Sequence, residues 1–196
     1  MDYKNLLALA GVILTFVASL PYIKAIINKQ IKPHLITWFI WTVLAATGCI
    51  IQIIGGGRYG AAVLGATAAL NLIILGLCLR SPKDNITKFD FFVLGLAVAA
   101  FVMWRLTSSA SQAAALVLFT MAMGYIPTFR KSINYPQDEK TSLYFWSGVK
   151  QIIGIVALAS YNFLTLSFPI FLVAANFSLV ALLIMRHKQL AASVTT

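Results

Sequence analysis

Lys150 is the residue whose type and position most demand a chemical explanation. It stands in SLYFWSGVKQIIGIVALA, with apolar sequence on both sides. If that stretch crosses a membrane, the ammonium lies about half way through it. A charge there costs from about 3 to well over 10 kcal/mol. No Asp or Glu lies at comparable depth in any apolar stretch, and the nearest is Asp90, at the edge of the fourth. Such a lysine is neutral, meets water in a cavity, or awaits an anionic ligand; snorkelling to the interface is the fourth option, and from mid-span that reach is short. Gln151 adjoins it, and Gln52 lies in the second apolar stretch. Asn71 and Asn176 also sit in apolar surroundings, AALN and VAAN. Lipid offers an amide no partner, so each either ties helices together or turns toward a solute. Trp146 precedes Lys150 by four residues, a spacing that puts both on one helix face. Trp41 and Trp146 read as cavity walls or as interfacial anchors, whereas Trp38 and Trp104 read as belt residues. Pro21 and Pro127 interrupt helical stretches near one end; each frees a carbonyl and allows a bend.

What is missing narrows the chemistry further. The sequence has no phosphate loop, no HExxH or CxxC, and no plausible Ser–His–Asp set. Its two histidines, His34 and His187, fall in polar connecting segments. Cys49 and Cys78 sit inside apolar runs and read as small core residues. The expectation is no metal, no cofactor and no enzymatic activity.

The elements that must position these residues are long and apolar. About 20 apolar residues make a spanning helix, and seven stretches qualify: roughly 5–27, 35–54, 59–79, 88–105, 110–130, 142–161 and 166–186. Of the 196 residues, 60% are hydrophobic and only 10% are charged. A soluble domain has about 25% charged residues, so a soluble enzyme, a nucleic-acid binder and a disordered chain are all poor fits. The first stretch does not read as a signal peptide, because its leader carries no net charge and no small-residue cleavage site follows it. Small residues pave the third (Gly60, Ala61, Gly65, Ala66, Ala69), the composition of close helix packing.

The formal charge of +10 is a topology signal. One side of the predicted bundle carries three basic residues, Lys4, Arg58 and Arg105. The other carries eleven: Lys24, Lys29, Lys32, Arg80, Lys83, Lys88, Arg130, Lys131, Lys140, Arg186 and Lys188. The positive-inside rule then puts the N-terminus outside and the C-terminus in the cytosol. The expected location is the cell (inner) membrane, with lipid and not nucleic acid as the surrounding partner.

The chain also aligns with itself. At an offset of 106, LPYIKAIIN (20–28) lies over IPTFRKSIN (126–134), with Pro21 on Pro127 and Asn28 on Asn134. At 105, TWFIWTV (37–43) lies over SLYFWSG (142–148), with Trp41 on Trp146. Still at 105, AALN (68–71) lies over VAAN (173–176), with Asn71 on Asn176, and Lys150 falls on Ala45. These landmarks predict two units, 1–81 and 109–196, joined by a linker helix within 82–108. An odd linker gives both units the same orientation. The expected fold is therefore all-α: a polytopic membrane protein of seven transmembrane helices, arranged as two parallel three-helix repeats.

This 3+1+3 layout, the proline near the cytosolic end of the first helix of each triplet and the asparagine in each third helix resemble the SWEET and PQ-loop transporter families. Pro21-Tyr22 and Pro127-Thr128 stand where PQ-loop proteins place Pro-Gln. The resemblance implies a small secondary transporter or facilitator moving a sugar, amino acid or other small polar solute by alternating access. It also implies solute contact for Asn71 and Asn176, and hinge roles for Pro21 and Pro127. Lys150, Gln151, Trp146 and Trp41 would stand beside the solute, and the lysine admits a carboxylate. A homo-oligomer is compatible with such a fold. The competing expectation is a seven-helix receptor, sensor or interaction subunit that transports nothing.

Overall fold

The first helix shows how the sequence dictates packing. Over its first five turns the buried positions, Ala8, Gly11, Thr15 and Ser19, recur at helical spacing and are small or polar. Its exposed positions, Leu6, Leu9, Ile13, Val17 and Leu20, are large and apolar. Water would penalise that arrangement, whereas hydrocarbon favours it. The inward hydroxyls are satisfied within the helix: Thr15 Oγ1 donates to the Gly11 carbonyl and Ser19 Oγ to that of Thr15, each at 2.8 Å.

The computed structural model describes residues 2–30, 33, 35–79, 88–107 and 109–194. Among them the regular structure is helical throughout: α1 (Tyr3–Ile27), α2 (Leu35–Ile54), α3 (Ala61–Cys78), α4 (Lys88–Thr107), α5 (Ala110–Asn134), α6 (Thr141–Val156) and α7 (Phe163–Val194). Single 3-10 turns at Arg58–Gly60 and Pro136–Asp138 precede α3 and α6. Five segments are long and apolar enough to cross a membrane: Tyr3–Ile27, Leu35–Ile54, Arg58–Cys78, Ala110–Asn134 and Phe163–Leu190. Expected boundary points at 81 and 108, and the basic residues Lys32, Arg80 and Lys83, lie outside the described residues.

Three helices differ at their ends from the sequence reading. The sixth helix stops at Val156 instead of continuing to 161. It is 16 residues long, which at 1.5 Å per residue is about 24 Å. Ala157–Ala159 then leave the helix, and Asn162 caps the next one. The fifth runs past 130 to Asn134, because RKSIN contains no breaker before Pro136. The seventh starts at Phe163 and carries its basic segment on to Val194.

Packing is regular. Helix α2 lies against α3, and α6 against α7; α1 packs on α3, and α5 on α7. Between these groups, α1 meets α6 and α5 meets α2, while α3 touches α6 and α7 touches α2. Helix α4 packs against α5 and α2.

At one end the α2–α3 and α6–α7 connections interlock. The Ala159 N–H donates to the Gly57 carbonyl at 3.3 Å, and Asn162 Nδ2 to that of Gly55 at 2.8 Å. Gly56, with φ +82°, makes the turn that aims these carbonyls. A Cβ on Gly60 would lie 2.6 Å from the Gly154 carbonyl oxygen, so glycine is what lets the two backbones meet there. From α1, Lys4 Nζ donates to the Leu158 carbonyl at 2.6 Å and lies 5.4 Å from the Tyr161 ring centroid. Pro169, inside α7, has no N–H to offer the Thr165 carbonyl. Gln52 Nε2 takes that carbonyl instead, at 2.7 Å.

Candidate functional site

Above this interlocked end the groups of helices part around a cavity of about 370 Å³. It is bounded at depth by Leu64, Gln151 and Phe168, and it reaches Pro33 and Glu139, in the connections at the opposite end. Five of the residues singled out from the sequence line it: Trp41 on α2, Asn71 on α3, Lys150 and Gln151 on α6, and Asn176 on α7.

Lys150 is only 7% exposed, although it carries a side-chain amine. Among the described residues it forms no hydrogen bond or ion pair. Asn71 Nδ2 donates across to the Trp41 carbonyl at 3.1 Å. Asn176 Nδ2 donates to the Leu172 carbonyl of its own helix at 2.7 Å and to Tyr125 Oη at 3.3 Å. Each amide therefore fixes its own rotamer through its nitrogen. Neither Oδ1 accepts a hydrogen bond among the described residues.

Trp146 does not join them. It is 43% exposed and packs edge-on against Phe145, with centroids 5.2 Å apart. The cavity face of α6 carries Leu143, Tyr144, Ser147, Lys150 and Gln151. At about 100° per residue that face centres on Ser147, so Lys150 sits roughly 60° from the centre and Trp146 roughly 100°. A shared i, i+4 stripe thus straddles the edge of the wall. Trp38 departs the other way: it lines the cavity instead of sitting in an outer belt. The side chains of Trp104 and Pro127 lie outside the described ones; α1 and α5 run through Pro21 and residue 127 without interruption.

The sequence reading missed Tyr22, Tyr125, Tyr144 and Glu139. A series of rings runs along the wall: Tyr22 to Trp38 at 5.5 Å, Trp38 to Trp41 at 6.3 Å, and Trp41 to Tyr125 at 5.2 Å between centroids. Glu139 supplies a carboxylate that span-by-span counting overlooked, because it lies in a connection; Tyr144 Oη donates to it at 2.7 Å. The signal that would have found two of these, Tyr22 and Tyr125, was the self-alignment. At the same offsets of 106 and 105, Ser19 pairs with Tyr125, Tyr22 with Thr128, Trp38 with Leu143, Ala45 with Lys150, Thr67 with Leu172, and Asn71 with Asn176. Both members of all six pairs line the cavity.

Fold and site define an all-helical protein with large apolar residues on its exterior, several helices fit to cross a membrane, and an interior cavity bearing amides, hydroxyls and one amine. No family model, curated protein or solved structure matches this chain.

Proposed function

We propose that this protein is a small membrane transporter or facilitator that carries a small polar solute through the cavity between two parallel triplets, α1–α3 and α5–α7, with α4 as linker. In this reading all seven helices span, with the N-terminus outside and the C-terminus in the cytosol. The observation that carries it is the cavity lining: residues from equivalent positions of the two triplets face one space, open at one end and interlocked at the other. The reciprocal helix contacts, α1 on α6 and α5 on α2, support the same two-fold relation. The layout is the one resembled by SWEET and PQ-loop transporters.

The cycle follows from the geometry. The cavity reaches the end where the loop lysines and arginines concentrate, which makes this the cytosol-facing state. Solute enters past Glu139 and Tyr144 and meets Asn71, Asn176, Gln151 and Lys150, with Trp41 as a wall; Trp146 lies outside it. Release on the far side requires the interlocked end to open. Four hydrogen bonds hold it, from Lys4, Gln52, Ala159 and Asn162. At about 0.5–1.5 kcal/mol each they amount to roughly 2–6 kcal/mol. Closure around the solute at the opposite mouth has to offset this, with bending at Pro21 and Pro127 as the hinge movement.

Reconstitution in liposomes tests the reading with labelled sugars, amino acids and carboxylates. Saturable counterflow of at least one class is expected. Tight binding with no flux of any class would replace the transporter with a receptor or sensor.

A further inference from the structure

Within the transport reading, the chemistry of the solute can be narrowed. We infer that the cavity binds a small organic monoanion, with its carboxylate or equivalent oxyanion on Lys150 and its body against the wall formed by Trp41 and Tyr125.

Lys150 is 93% buried by its 7% exposure, lines the cavity, and has no hydrogen-bonding or ionic partner among the described residues. A buried ammonium needs an opposite charge or a full set of acceptors to be tolerated. Glu139 is the only other charged side chain among the described lining residues. It is held by Tyr144 at the mouth. Lys150 lies nine positions into α6 from Thr141, or about 13 Å along its axis. The carboxylate therefore guards the entrance and leaves the lysine to be met by something that enters. Ser147, one turn before it, and Gln151, beside it, add donors suited to oxyanion oxygens.

The relation between the triplets makes the charge one-sided. The position equivalent to Lys150 is Ala45, which also lines the cavity. One wall thus offers a cation, and the wall related to it offers a methyl group and space. A single positive charge matches a monoanion; a dianion would bring a second charge into the same low-dielectric space without a counter-ion. Size agrees. A cavity of about 370 Å³ equals about twelve waters at liquid density, which accommodates a carboxylate of that many heavy atoms or fewer. Trp41 and Tyr125, 5.2 Å apart, give its body an apolar, flat surface. Lys24, Arg130, Lys140 and Arg186 stand at the end of the helices where the mouth lies, a field that raises the local concentration of anions.

The test uses the full chain purified in detergent and needs no flux. Lactate and benzoate are titrated beside their neutral amides, lactamide and benzamide, and beside succinate as a dianion, with binding read by calorimetry and by thermal shift. At least one monocarboxylate is expected to bind about tenfold or more tighter than its amide and tighter than succinate. Lys150→Met keeps length and apolarity, and Lys150→Gln keeps a donor; both are expected to abolish the preference for the acid. Equal binding of acid and amide, unchanged acid binding in both variants, or no binding of any carboxylate overturns the inference. Liposome flux separates it from the reading on which it rests. Carboxylate binding without flux keeps the anion site and removes transport, whereas flux of a neutral solute without carboxylate binding removes the anion site and keeps transport.

Discussion

Asn71 and Asn176 each use the amide nitrogen to hold the protein, and neither amide oxygen has a donor among the described residues. For Asn71 the anchor is the Trp41 carbonyl on α2; for Asn176 it is Leu172 and the Tyr125 hydroxyl. Interhelical hydrogen bonds in membranes average about 0.6 kcal/mol, so losing an anchor is a small loss of stability. Losing a solute contact is felt in binding. Asn71→Ala and Asn176→Ala are each expected to weaken solute affinity about two- to tenfold, with melting temperature in detergent nearly unchanged. Titration and thermal melting of the same samples check this. Unchanged affinity with a lowered melting point would make the amides ties between helices and nothing more.

The start of α7 shows an element fixed by a few polar atoms. Asn162 Oδ1 accepts the N–H groups of Leu164 and Thr165, at 3.0 and 3.2 Å, and Thr165 Oγ1 accepts the Asn162 N–H at 3.0 Å. This is a reciprocal cap. The same side chain donates through Nδ2 to Gly55, so the cap of α7 also ties down the α2–α3 connection. Asn162→Ala is expected to remove about 1–2 kcal/mol of stability. Asn162→Asp keeps the acceptor but not the donor and should lose about half as much. Equilibrium unfolding in mixed micelles reads both. Equal losses for Ala and Asp would mean that the cap contributes nothing and the tether everything.

For the whole molecule, the proposed orientation rests on where the basic residues fall, three on one side and eleven on the other by the loop count. A reporter active only in the cytosol is expected to work at the C-terminus and stay silent at the N-terminus. The reverse result would invert the whole bundle and turn the cavity mouth outward. Helix α6 is short, about 24 Å, and residues 157–162 extend beyond it, packed against the α2–α3 connection. Ala157 and Leu158 there are fully buried.

Hydrophobic stretches of about 20 residues read directly as helices, because hydrocarbon leaves the backbone no other way to satisfy its hydrogen bonds. That is why the apolar stretches of the sequence coincide with the seven helices; the pairing of Asn71 with Asn176 came separately, from the self-alignment. Periodicity also placed Lys150 and Gln151 on one helix. It could not say which side of that helix faces the cavity. The wall is set by how α6 rolls against α7 and α1, and a rotation of roughly 40° separates Lys150, inside, from Trp146, outside. Nor could span counting see Glu139, which lies just before α6 and meets Tyr144, five residues on, through the turn that enters that helix. The link from Gln52 to the carbonyl freed by Pro169 joins residues 113 apart in sequence, through a vacancy in one helix that only the packing of α2 against α7 fills.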